Sequence, residues 1–179
     1  MNEELIKKAV YDLLKAIGED PEREGLKDTP QRVAKMYSEI LTYPEFKCTT
    51  FEDKYDDLVI VKNIEFCSMC EHHLLPFYGI AHIAYIPNNK IIGISKIART
   101  VEKHSRKLQV QERMTEDILN DLKEKLNTDD IAIYIEAKHM CMISRGVKKE
   151  LSGTITTKLN GVFKKERKSD FYFLLGNCD

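Results

Sequence analysis

No stretch of this chain is an apolar run long enough to cross a bilayer. The opening segment, "MNEELIKKAVYDLLKAIGED", breaks its apolar residues with charge and has no hydrophobic region of the secretory-signal kind. These absences set the expectation of a cytosolic, cytoplasmic protein. An excess of one charge is missing too: 28 basic side chains stand against 29 acidic ones, so no global field attracts nucleic acid or a membrane surface. An anionic ligand must therefore meet a local cluster of cations. Cysteine is scarce, with five residues at positions 48, 67, 70, 141 and 178, too few and too irregular for a disulfide framework. In a reducing compartment such thiols bind metal or react. There are no internal repeats and no low-complexity segment. The zinc-deaminase signature is absent, since no histidine has glutamate two positions later and Phe66 rather than proline precedes Cys67. The metalloprotease H-E-x-x-H is absent as well.

What is present is an ordinary globular composition, 42% apolar over 179 residues, enough for one domain with a small appendage. Leu5, Ile6, Ala9, Val10, Leu13, Leu14 and Ile17 recur at helical spacing, forming a stripe that needs a covering partner and that Gly18 can end. In "KDTPQRVAKMYSEIL", Thr29 reads as an N-cap and Pro30 as the first helical residue of a second helix. A connector, "TYPEFKCTTFEDKYDD", leads to β-rich runs at 58–66 and 77–86, then to helical patterns at 94–108 and 112–126. Ile131, Ile133, Ile135 and Ala137 alternate with more polar residues as a strand requires, and continuation of that strand would put His139 and Cys141 on one face. "GTITTKLNGVF" gives a last strand, "KKERK" a solvated surface and "DFYFLLG" an apolar tail. The sum is an α+β chain.

The chemistry concentrates in "CSMCEHHLLPFYG", residues 67 to 79. Cys70 and His73 are three apart, so one turn can aim both at a single ion, and Cys67 extends the pattern to C-x-x-C-x-x-H. This half-site needs ligands from elsewhere, and Cys141 is the best candidate. If Cys67, Cys70, His73 and Cys141 all bind, the zinc is a closed staple of an interaction domain without catalysis. If Cys67 is a small core thiol, three ligands leave a fourth position for activated water. His72 and His139 flank the candidate ligands and can move protons near neutral pH, which favours the open site. His82, in a strand pattern, and His104, in a basic helix, read as structural.

"CEHHL", "GISKIAR", "LQVQERMTEDI", "HMC" and "SRGV" occur in the order and approximate spacing of GTP cyclohydrolase I, and the chain resembles that family from "EGLKDTPQRVAKMY" to "LNGVF". The resemblance implies the tunnelling fold (T-fold), an antiparallel sheet with packed helices and an N-terminal helical extension, with residues 1–45 helical and 46–179 catalytic. It implies assembly into a homodecamer of two pentamers with active sites between subunits. It implies Zn2+ on Cys70, His73 and Cys141, with Cys67 left unused. GTP is then the substrate, and 7,8-dihydroneopterin triphosphate and formate are the products, as the first step of a pterin or folate-type pathway.

By the same resemblance His139 protonates the guanine imidazole nitrogen, His72 serves later proton transfers, and Ser95 assists rearrangement of the ribose. Taken alone, Ser95 is an N-cap. Glu112 resembles the glutamate that anchors guanine through paired hydrogen bonds, with help from Gln111. Lys96, Arg99 and Arg145 match the cations that hold the triphosphate, and Arg32 and Lys35 match further positions. A different pterin or purine enzyme of the same fold is the neighbouring alternative.

Overall fold

The structure is a computed structural model that describes residues 1–176, so Cys178 lies outside the described residues, while the expected apolar tail, 170–176, lies within them. The chain divides into two compact units, Met1–Thr42 and a larger one beginning at Tyr43.

The first unit is a pair of packed helices, α1 (Glu3–Ala16) and α2 (Thr29–Ile40). Asn2 caps α1, its side-chain oxygen accepting from the Leu5 N–H at 3.1 Å, and Glu3 and Glu4 complement the positive end of the helix dipole. Gly18 follows α1 with φ +88°, the left-handed conformation that glycine enters without penalty. In α2 the capping position is Asp28 rather than Thr29, one residue earlier than the sequence suggests, and Pro30 lies in the first turn. Leu14 and Ala34 are buried, yet Leu5 and Ile17 stay 64% and 65% exposed, so the apolar stripe of α1 is only partly covered within the chain.

In the larger unit, β1 (Thr50–Glu52), inside the expected connector, pairs with β4 (Lys90–Ile92) as a small antiparallel ribbon. The main sheet has the order β5 (Leu108–Gln109), β2 (Val59–Cys70), β3 (Pro76–Tyr85), β6 (Ile131–His139), β7 (Thr154–Leu159). All its pairs are antiparallel except β2 with β5. One face carries α3 (Ile94–Ser105) and α4 (Gln111–Leu126), and Ile97, Val101, Met114, Ile118 and Leu122 pack there on Ile131, Ile133 and Ile135. This burial is the main driving force for the unit. Among the described residues the opposite face is covered at one end, where Ala84 and Ala132 meet Phe163 of a 3₁₀ turn (Gly161–Lys164) and Phe171 of α6 (Lys168–Gly176). This is an α+β arrangement with the character of the tunnelling fold.

Two expectations give way. β6 stops at His139, and Met140–Ile143 form a helical turn, α5, so Cys141 is not on the strand. The last strand likewise ends at Leu159. Gly161 turns the chain at φ +54°, and the Asp130 carboxylate accepts from the Val162 N–H at 2.9 Å, which favours a 3₁₀ turn over a continued ladder.

Candidate metal centre

The end of β2 is held on both sides, by β5 at Met69 and Cys70 and by β3 at Met69. Beyond Cys70 the chain reverses: the N–H groups of His73 and Leu74 both donate to the Cys70 carbonyl, at 3.4 and 2.9 Å, and Leu74 takes a left-handed φ of +51°. The turn folds His73 back until Nδ1 lies 3.9 Å from Cys70 Sγ. Cys141 arrives from α5. Because β3 lies between β2 and β6, with Phe77 opposite His139, the end of β6 carries α5 to the mouth of this turn. Ligand atoms of Cys70, His73 and Cys141 all fall within 4.8 Å of one another, the one such metal-capable group among the described residues.

Cys67 is not in it. The strand alternation turns Cys67 to the opposite sheet face, exposed and paired with Tyr78, so it is neither a fourth ligand nor the core thiol considered from sequence. Two thiols and an imidazole form a donor set suited to zinc-like cations. Burial and the adjacent Cys70 sulfur push the Cys141 thiol up, and a divalent cation reverses that preference by stabilising thiolate.

Neighbouring groups lock the frame. Arg113 of α4 donates twice to the Glu71 carboxylate, at 2.6 and 3.0 Å, which ties the metal turn to the start of that helix and holds Glu71 below the usual carboxylate range. Sequence reasoning missed this pair; no local spacing links residues of different elements. His72 is exposed beside Glu71, its Nε2 3.8 Å from the carboxylate, and meets the His73 ring edge-on at 6.3 Å. Arg145 Nη1 donates to His73 Nε2 at 2.7 Å. A guanidinium only donates, so His73 Nε2 accepts here, and a metal held through Nδ1 would place the ring proton on Nε2 and compete with this contact.

His139 is stacked on Phe77, with rings 4.7 Å apart and 1° from parallel, and its Nε2 is 2.8 Å from Gln111 Oε1. Burial lowers its affinity for a proton, opposed by the negative charge of Glu112. Gln111 is 1% exposed, whereas Glu112 is exposed and lines a cavity of ≈ 250 Å³ with Thr115, Glu116, Thr156, Thr157 and Lys158. Ser95 is not an N-cap: Gly93 holds that position, and Ser95 is an exposed residue inside the first turn of α3. Lys96 and Arg99 share this helix, and among the described residues no hydrogen bond or ion pair joins them to the metal-capable group. Arg32 and Lys35 are on α2, ion-paired with Asp28 at 3.5 Å and Glu39 at 3.9 Å. His82 is structural, accepting the Asn63 N–H at a bulge in β2, and His104 binds Asp121 at 2.8 Å.

The family profile for GTP cyclohydrolase I matches residues 6–175. The chain is 51% identical over 172 residues to GTP cyclohydrolase 1 of Streptococcus thermophilus (strain CNRZ 1066), covering 93% of this chain and 92% of the relative. It is 51% identical over 173 residues to that of Bacillus pumilus, covering 93% and 91%, and 50% identical over 171 residues to that of Sulfurihydrogenibium sp., covering 94% and 91%. The chain belongs to the GTP cyclohydrolase I family. It is thus an enzyme of that family, and the Cys70, His73 and Cys141 group gives it a site for a metal cofactor. No helix among the described residues is long and apolar enough to cross a membrane.

Proposed function

We propose that the protein converts GTP and water to 7,8-dihydroneopterin triphosphate and formate at a zinc site made by Cys70, His73 and Cys141. The observation that carries this reading is the convergence of two thiols and an imidazole within 4.8 Å, in a chain with relatives named GTP cyclohydrolase 1. When bound, the metal supplies Lewis acidity that makes water nucleophilic at neutral pH.

The chain's own groups do the rest. The Glu112 carboxylate accepts the row of N–H donors on guanine, beside the cavity it lines. His139, held flat against Phe77, gives a proton to the imidazole nitrogen as the neighbouring carbon becomes tetrahedral. His72, exposed on the same turn as His73, serves the proton transfers that follow ring opening. Ser95 assists the ribose rearrangement. Arg145, Lys96 and Arg99 bind the triphosphate, with Arg32 and Lys35 as further cations; a chain of formal charge −1 needs such a cluster. In this reading residues 1–45 are the helical region and 46–179 the catalytic domain. The protein is cytoplasmic, feeds pterin and folate-type synthesis, and assembles as a decamer of two pentamers. The exposed stripe of α1 supports assembly, and sedimentation velocity checks the mass against ten copies of the 20.8 kDa chain.

Incubation of the metal-loaded protein with GTP tests the reaction. Formate and a fluorescent oxidised pterin are expected, and absence of both overturns the proposal. His139→Ala should lower formate release by about 10² to 10⁴ while leaving the metal bound.

A further inference from the structure

Gln111 opens α4 but turns inward, and its side chain is buried. Its Nε2 lies 3.1 Å from the Ile135 carbonyl, 3.0 Å from the Thr154 carbonyl and 3.1 Å from Thr156 Oγ1. An amide nitrogen has two hydrogens and no lone pair to offer, so these three acceptors consume its whole donor capacity. The opposite amide orientation would set Oε1 against two backbone carbonyl oxygens, replacing two hydrogen bonds by oxygen–oxygen repulsion, so the network fixes which atom is which. Oε1 therefore faces His139 Nε2 at 2.8 Å as an acceptor. An acceptor there requires a hydrogen on Nε2. Phe77, fully buried, stacks on the ring and prevents it from rotating away.

We propose that Gln111 is a positioning residue for His139 rather than a contact to the base. Pinned by Ile135, Thr154 and Thr156, it selects the Nε2–H tautomer of the neutral ring and leaves Nδ1 as the nitrogen that takes up a proton and passes it to substrate, while the Nε2 hydrogen stays on Gln111. This rests on the proton-transfer role given to His139 above. The sequence suggests Gln111 as a helper in guanine binding, but its donors are already spent inside the protein.

Nitrogen NMR of ¹⁵N-histidine-labelled protein, with the His139 signals assigned by their loss in His139→Ala, reads the tautomer directly at a pH where the ring is neutral. It needs no turnover, so it decides the positioning claim separately from the formate assay that decides the function. Wild-type protein should show a protonated Nε2 and an unprotonated Nδ1, and Gln111→Met should mix the two forms. In steady-state assays Gln111→Met should lower kcat by about tenfold to a hundredfold with KM for GTP nearly unchanged, the size typical when an orienting partner is lost. In a His139→Ala background the same change should have little further effect on kcat. Thr156→Val removes one acceptor of the three and serves if the methionine variant folds poorly; it should give a smaller loss of the same kind. A protonated Nδ1 in the wild type overturns the proposal. So does a raised KM with unchanged kcat in either variant.

Discussion

At the scale of single residues, position relative to the pleat separates two cysteines that look alike in sequence. Cys70 ends β2 with its sulfur turned to the metal-capable group, and Cys67 points to the other face of the same strand. Cys67→Ser should keep the bound metal and most activity, whereas Cys141→Ser should lose the metal and at least about a hundredfold in formate release. Elemental analysis of the purified variants checks both, and loss of metal from Cys67→Ser would point to a closed four-ligand site. The half-site of Cys70 and His73 was legible because both ligands come from one turn. The outward face of Cys67 followed only once the strand was known to extend through it.

At the scale of elements, two contacts hold the scaffold under the site. Gly79 in β3 faces Ala137 in β6, and a Cβ there would fall inside van der Waals distance of the Glu136 carbonyl oxygen. Gly79→Ala should therefore destabilise the unit by about 1–3 kcal/mol, measured by urea unfolding, because backbone must move to admit the methyl group. Between α3 and α4, Asp121 accepts from Lys103 at 2.8 Å, His104 at 2.8 Å and Lys125 at 2.6 Å. Burial disfavours its charge, but these donors outweigh burial and hold the carboxyl well below the usual range. A folded-state pKa depressed in this way adds stability that is complete above the unfolded aspartate value of about 4 and fades as pH falls toward the folded one. Asp121→Asn should cost about 2 kcal/mol near neutral pH, with the gap to wild type closing in acid. Chemical denaturation from pH 7 downward reads that convergence; a gap constant with pH would refute the assignment. Helix and strand periods announced most of these elements, but not the halt of β6 at His139, because Met140–Ile143 continue an apolar pattern equally compatible with strand and helix.

For the molecule as a whole, the apolar cluster between the sheet and α3 and α4 extends along β2, β3 and β6, and the metal-capable group touches it at one end only, through Cys70 and Cys141. Chelation should abolish formate release and leave the far-UV circular dichroism of sheet and helix nearly intact. Collapse of that signal on chelation would instead mark the metal as a structural staple.

The α+β class, the amphipathic helices and the paired Cys70 and His73 are legible in the chain, because each depends on side chains within a few positions of one another. Five ordered motifs were enough to indicate the family. It took the folded arrangement to show how Cys141 reaches that pair, that Arg113 clamps Glu71, and that Gln111 turns inward to His139 while Glu112 turns out. These contacts arise from strand order and register, which are set by burial across the whole sheet and leave no fixed spacing in the chain.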